Sequence, residues 1–471
     1  MNNKKLALYF IGPVLSALLG LLFLPISTWF YSKEVIGEFS IFQVSVNVAM
    51  VFVSLGLYQS YVREYYETEN KQQLFNHTFL LPVIFFLVLC GLVFFAKIFF
   101  DFSLSSLLFD STSLLVDFVF IVSVLFLVLN NHNAHVFRMK ENAGLYSLNL
   151  VAPKLLLLGL MLVFAYFFGN DKIYLLASFL ISVAMTFVVV SIFLKSEYTG
   201  IIAEPLERHI AVSYLKFSGP LVLGGVAFWC TKAIDRFFIK EFTDLASLAV
   251  YSIAVTLSGG ITVLSSFFSN IWHPKLYKWN QEGLKTSDLE QVISCLSLIL
   301  LIVFLIIGIL SPLIPVFFPA GYEKLSILVL SACVAPMLYL LSETTMVGIT
   351  LTKKTKFSLY LSIVTLFACF LLNFFLVPLY GIEGASLANV LTFTIFFVLR
   401  TEVSCLIWTP VNRMRAYFTV FVMLGGVVIS LFFSEGQYII YYLLLVLLSL
   451  ATFKHEFITL KKLVVRRGRL L

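Results

Sequence analysis

The chain has 471 residues, 60% of them hydrophobic and 12% charged, with a mean hydropathy of +1.00 and a net charge of +7. A soluble globular chain carries about twice that charged fraction, so a soluble domain is excluded and an all-α polytopic membrane protein is predicted. The positive charge does not point to nucleic acid, because it follows the alternation of apolar runs along the chain.

Met1 to Lys5 is a short basic start. The run 6–32 is too long for a signal-peptide core and has no small-residue cleavage site, so it reads as a retained first span. Apolar runs of about 20 residues follow, each long enough to cross the hydrocarbon layer as a helix. They are 35–60, 78–100, 114–136, 143–168, 173–194, 215–239, 247–271, 291–317, 326–350, 357–378, 383–408, 417–434 and 438–453, which makes about fourteen spans. With the N-terminus in the cytoplasm, 23 Lys and Arg residues fall on inner segments and six on outer ones. That bias is the positive-inside rule, and it places both termini and Lys354 inside and Ser105 outside. No loop is long enough for a separate soluble domain. The basic tail from Lys454 reads as lying on the anionic inner leaflet, with partner binding as the alternative.

The second half of the chain begins as the first half began. A shift of 207 residues places Gly12-Pro13 on Gly219-Pro220 and Lys33-Glu34 on Lys240-Glu241. After a five-residue slip, Phe39-Ser40-Ile41 falls on Tyr251-Ser252-Ile253. Repetition in a membrane chain predicts a transporter of two related bundles with its site between them. The division is 1–194 for an N-terminal six-helix bundle and 195–214 for a cytoplasmic linker. Residues 215–408 form a pseudo-symmetric C-terminal six-helix bundle, and 409–471 add two helices and the basic tail. Pro13 and Pro220 predict matching bends in spans 1 and 7.

Neither GxxxxGK[ST] nor HExxH nor GxSxG occurs, so a nucleotide site is excluded and no hydrolytic enzyme is indicated. The six cysteines stand singly in apolar runs and read as packing residues, with no metal or disulfide. Ionisable residues in hydrocarbon are costly and mark function. Lys154 lies about twelve residues into span 5, directly after Pro153, with snorkelling to an interface as the alternative. Glu343, among Ser342, Thr344 and Thr345, lies deep towards the inner side, where a structural carboxyl is the alternative. Lys232 and Asp235 are one turn apart and able to pair. Asp235 and Arg236 mark the outer boundary of span 7, where interfacial anchoring is the alternative. Asp117 reads as wet. Arg63 closes span 2 at the inner face, either as a solvated helix end or as a phosphate contact. Gln43, Asn47 and the run Asn130 to His135 read as joining helices to one another.

Three stretches resemble signatures of bacterial polysaccharide flippases. Ile234-Asp235-Arg236-Phe237-Phe238-Ile239, followed by Ala249-Val250-Tyr251-Ser252-Ile253-Ala254, is similar to one. Leu372-Asn373-Phe374-Phe375-Leu376-Val377-Pro378-Leu379-Tyr380-Gly381-Ile382-Glu383-Gly384-Ala385 resembles a second and is the most specific. Leu55-Gly56-Leu57 with Ser60 and Arg63 resembles a third. The resemblance is to the MOP exporter superfamily, and within it to Wzx-type O-antigen or capsule repeat-unit flippases. It implies an undecaprenyl-pyrophosphate-linked oligosaccharide as cargo, carried across the bacterial inner membrane by alternating access around a cationic cavity that Lys154 is expected to face. The substrate-binding candidates are then Lys154, Arg63, Arg236, Asp235, Glu343 and Asn373. No cofactor is implied, and the drive falls to a coupling ion, H+ or Na+, for which Glu343 is the candidate carboxyl. Membrane lipids, a polysaccharide polymerase and a chain-length regulator are the implied partners. Lipid II flippases of the superfamily carry arginines in helix 1, and 6–32 has none, which counts against a peptidoglycan precursor as cargo. A drug/cation antiporter of the superfamily is the alternative, but it would want acidic residues deep in the first bundle. An O-antigen polymerase would need a large outer loop that the chain lacks.

Overall fold

The computed structural model describes residues 3–109, 112–202, 205–352, 354, 356–433 and 445. No strand occurs among the described residues. Hydrocarbon offers a backbone amide no partner, so each crossing segment must satisfy its own hydrogen bonds as a helix. Packing divides the chain into two units, residues 1–237 and 238–471.

The first unit contains α1 (Asn3–Phe30), α2 (Lys33–Val53), α3 (Leu57–Glu64), α4 (Lys71–Phe100), α5 (Leu104–Phe109), α6 (Leu114–Met139), α7 (Ala143–Phe167), α8 (Lys172–Ile192) and α9 (Lys195–Thr199). It also holds most of α10 (Arg208–Phe242). The second unit continues with α11 (Leu245–Leu257), α12 (Gly259–Gln281), α13 (Thr286–Leu310), α14 (Leu325–Thr345), α15 (Val347–Leu351), α16 (Lys356–Ile407) and α17 (Met414–Phe432). Within the described residues twelve helical stretches are long and apolar enough to cross a membrane. One of them, α16, has 52 residues, roughly 78 Å at 1.5 Å per residue and far more than one bilayer needs. Gly381 breaks it with φ 59° and ψ −131°, so α16 is two crossings joined by a tight bend, and the described residues hold thirteen. The span expected at 438–453 lies, but for residue 445, outside the described residues, as does the tail from Lys454.

The bend explains the most specific stretch of the sequence. A positive φ is nearly free for glycine at 381. A Cβ at Gly384 would lie 2.1 Å from the Leu376 carbonyl oxygen, so only glycine lets the two arms of the bend approach this closely. Asn373 is fully buried two turns before the bend, and its Nδ2 donates to the Cys369 carbonyl at 2.8 Å. In the first unit, Gly12 plays a similar part: a Cβ there would lie 2.5 Å from Ser147 Oγ, and α1 packs along α7. Small residues that let backbones approach are the usual means of helix association in lipid.

Burial separates the helices. In α14, 78% of the apolar window is buried, and α14 packs on α11, α12, α13, α16 and α17 as the centre of the second unit. In α4 and α7 the figure is 11%, so most of the apolar surface of these helices is left uncovered by the others.

Three local features differ from the sequence reading. The span read as 35–60 is two helices, because Leu55 and Gly56 both take left-handed backbone angles (φ 50° and 62°) between α2 and α3. Asp117 is buried, not wet: the short α5 folds over it, Ser103 Oγ donates to it at 2.9 Å and Ser105 N at 2.6 Å, and Lys97 lies at 3.7 Å. The repeat also slips earlier than the residue matches suggest. Ser32 caps α2 by accepting from Val35 N, and Asp244 caps α11 by accepting from Ser247 N, a shift of 212 throughout. Lys33-Glu34 thus opens α2, whereas Lys240-Glu241 closes α10.

The alternation is testable by impermeant thiol labelling in a background without the six native cysteines. Ser105 is buried, so Asn170, exposed in the loop between α7 and α8, is the better outer reporter. Asn170→Cys should label from outside and Lys354→Cys only after the inner face is opened; labelling of both from one side overturns the alternation. Gly384→Ala drives a methyl into a backbone carbonyl, and overpacking of this kind costs about 1–3 kcal/mol. Thermal unfolding of the detergent-solubilised protein should start at a clearly lower temperature, and an unchanged transition would refute the close approach.

Candidate functional site

The candidates in the first unit sit on α3, α7 and α10. Pro153 in α7 has no N–H to offer the carbonyl one turn back, at Asn149, so the helix is locally loosened just before Lys154. Asn149 is buried and turns its Nδ2 to the Asn130 carbonyl at 2.9 Å, and Asn130 Nδ2 in turn reaches the Val183 carbonyl at 2.8 Å. This chain ties α7, α6 and α8 together beneath Lys154. Lys154 itself is half-buried, roughly 17 Å along α7, and forms no hydrogen bond or ion pair among the described residues.

The polar C-terminal end of α6 joins helices. His132 Nε2 meets Thr78 Oγ1 of α4 at 3.1 Å, Tyr198 of α9 donates to Asn133 Oδ1 at 2.8 Å, and His135 stacks on Tyr58 of α3 at 4.7 Å. Arg63 is exposed in the last turn of α3, with its guanidinium 4.3 Å from the Phe217 ring centre on α10 and 3.4 Å from Glu64. Two more contacts bind α3 to α10: Ser60 Oγ donates to the Tyr214 carbonyl at 3.2 Å, and Gly56 leaves no room for a Cβ beside Val222.

Asp235 and Arg236 are buried, so interfacial anchoring does not describe them. Arg236 Nη1 lies 3.6 Å from Asp235 Oδ1 and donates to the Lys232 carbonyl at 2.6 Å, while Nε donates to Ser40 Oγ of α2 at 3.1 Å. Asp235 and Arg236 thus pair as sequence neighbours, and Lys232 lays its ammonium 4.7 Å from the Phe228 ring centre.

In the second unit Glu343 is buried near the end of α14. Arg400 Nη1 of α16 donates to Glu343 Oε1 at 3.1 Å and to Ser342 Oγ at 2.6 Å. His273 Nε2 of α12 lies 3.0 Å from Glu343 Oε2, and Trp272 Nε1 donates to the Glu343 carbonyl at 3.1 Å. The Arg400 guanidinium also lies 4.8 Å from the Phe396 ring centre. Asn373 Oδ1 has no hydrogen-bond partner among the described residues.

Of the six residues singled out in the sequence, the structure brings Asp235 and Arg236 together, while Lys154, Arg63, Glu343 and Asn373 keep separate surroundings. It adds His273 and Arg400, which the sequence reading passed over. Arg400 is one of the 23 cations tallied on inner segments, yet it stands inside the apolar run 383–408, and that position is the available signal. His273 lies two residues beyond the run read as 247–271 and carried none. Among the described residues no group of three His, Cys, Asp or Glu side chains is placed to hold a metal ion.

Residues 3–278 match the family model described as polysaccharide biosynthesis protein. No curated protein sequence matches the chain. Among solved structures, the chain is similar to a lipid II flippase, MurJ, in an inward closed conformation, with TM-score 0.64 and 16% identity over 97% of this chain and 100% of that one. It is also similar to an inward-facing multidrug resistance MATE family transporter of the MOP superfamily, with TM-score 0.60 and 15% identity over 88% of this chain and 98% of that one. A MOP superfamily transporter from Pyrococcus furiosus, described as having a binding pocket of reverse polarity, gives TM-score 0.53 and 15% identity over 85% and 93% of the two chains. At such identities the likeness establishes the fold.

The Asp235–Arg236 pair makes a stability prediction. Breaking a buried ion pair strands the remaining charge, at a cost on the order of 3 kcal/mol. Arg236→Met should lower the unfolding temperature, and adding Asp235→Asn should recover part of the loss. Equal stability of the single and double variants would contradict the pairing.

Proposed function

Because the chain belongs to the polysaccharide biosynthesis protein family, we propose that it moves lipid-linked glycan across the bacterial cytoplasmic membrane, both termini being cytoplasmic. The cargo is an undecaprenyl-pyrophosphate-linked oligosaccharide repeat unit, delivered from the inner to the outer leaflet by alternating access, with no chemical step catalysed. A polymerase and a chain-length regulator act on the delivered unit.

The observation that carries this reading is Lys154. An ammonium in a low-dielectric surrounding is costly unless paired, and pairs form wherever the fold can supply a carboxylate. Here the fold supplies none among the described residues, on a helix loosened by the preceding proline. A cation kept unpaired at this depth is ready for an anion that arrives and leaves. A pyrophosphate is such an anion, and a single Lys meets it as a point charge without demanding bidentate geometry. One cation offsets part of the desolvation cost of the phosphates without holding them so tightly that transport stops. A drug cation would instead be repelled.

The other candidates take supporting parts. Arg63, exposed beside Phe217, is a first contact for phosphate at the inner face. Asp235 and Arg236 hold α10 against α2, and Asn373, buried with an unfilled carbonyl oxygen, would meet a sugar hydroxyl only in a conformation that opens α16. Glu343 belongs to the drive, taken up below.

Lys154→Ala should abolish surface polysaccharide and leave lipid-linked repeat units on the inner leaflet, at normal protein level. Lys154→Arg should keep part of the activity. Normal surface polysaccharide in the alanine variant would sink the proposal.

A further inference from the structure

Moving an anionic cargo in one direction needs a bias, and the chain carries no nucleotide motif to supply it. The buried cluster on α12, α14 and α16 has the parts for a different supply. A carboxylate only accepts hydrogen bonds, so in the contact with Glu343 it is His273 Nε2 that carries the hydrogen, and Nδ1 is the free base. Arg400 does not give up its proton in a protein. Placing a proton on Glu343 would therefore leave a buried guanidinium without its counter-charge, which is strongly unfavourable. That argument removes Glu343 as the carrier and leaves His273. Histidine is the side chain suited to exchanging a proton in the physiological range. Its side chain is also the most open of the three, 32% exposed against 6% for Glu343 and 11% for Arg400.

We infer that His273 is the proton carrier of the transport cycle, with the Glu343–Arg400 pair as its fixed counter-charge. A proton enters on Nδ1 from one side of the membrane and leaves from Nδ1 to the other, while Nε2–H stays on Glu343 Oε2. With neutral imidazole the three groups sum to zero charge and tolerate burial. With imidazolium the cluster carries one net positive charge, which favours the conformation in which the ring reaches water. The change falls at a place able to bend, because Pro274 follows His273 directly inside α12.

The charged groups facing His273 from the neighbouring helices are Glu343 and Arg400. On its own helix, Lys275 lies over the Trp279 ring at 4.6 Å and Lys278 pairs with Glu282 at 3.6 Å.

What the proton drives rests on the flippase reading; that His273 takes it up does not. The full chain is reconstituted in proteoliposomes with an undecaprenyl-pyrophosphate-linked disaccharide, and a pH gradient of one unit is imposed. A one-proton cycle is then biased by about tenfold between the two faces. His273→Gln keeps an N–H donor for Glu343 and cannot titrate, and His273→Lys fixes the positive charge. In both variants the bias should vanish. A second readout needs no cargo. With the other four tryptophans replaced by Phe, emission from Trp272 should change when the medium is acidified, and the change should be lost in His273→Gln.

Flipping by the parent chain without any response to the gradient overturns the inference and leaves the flippase reading intact. So does an equal bias in the Gln variant, or a flat Trp272 emission in the parent. No flipping at all in the parent defeats the cargo reading, and the emission titration then decides for or against His273.

Discussion

Hydrocarbon does not solvate charge, and the placement of nearly every ionic group in this protein follows from that. Asp117 is met by Lys97 and two serines, Asp235 by Arg236, and Glu343 by Arg400 and His273. At the inner end of α16, Glu402 receives both Nε and Nη2 of Arg413 at 2.6 Å. Each of these four carboxylates thus has its donors within a few ångströms. The polar side chains at the C-terminal end of α6 likewise make hydrogen bonds to neighbouring helices. Lys154 has no such partner among the described residues.

The two units answer the electrostatic problem differently. The first keeps an ammonium unpaired beside a proline-loosened turn. The second assembles a balanced cluster from three helices around one carboxylate. An unpaired cation suits a visiting anion, and a balanced cluster suits a proton that changes its sum. Substrate recognition and energy supply therefore need not compete for the same side chains.

The architecture was legible because its causes are local. Run lengths near 20 residues, the bias of Lys and Arg and the repeated Gly-Pro all survive in the sequence. Thirteen of the predicted spans fall on described helical stretches, eleven singly and two as the arms of α16. What was not legible depends on contacts made at long range. Asp117 sits few residues from a helix end, which predicts water, but α5 folds back to cover it. Arg400 counts as a loop cation when only charge is tallied, yet its guanidinium turns inward to Glu343, 57 residues earlier in the chain. The Lys-Glu match in the repeat compared residues that do different work, since one pair starts a helix and the other ends one. Leu55 was invisible for another reason: no pattern in an apolar run announces a leucine held at positive φ.

That leucine has a mechanical consequence. A left-handed pair of residues interrupts the hydrogen-bond ladder between α2 and α3, so the two segments are coupled as two rods at a swivel. On the far side of the swivel, α3 is fastened to α10 through Gly56 against Val222, Ser60 on Tyr214 and Arg63 over Phe217, three contacts spread along its length. The short rod is thus tied to α10 as well as to α4 and α6, on which it packs. A turn of α3 about that joint would carry Arg63, at its far end, through an arc.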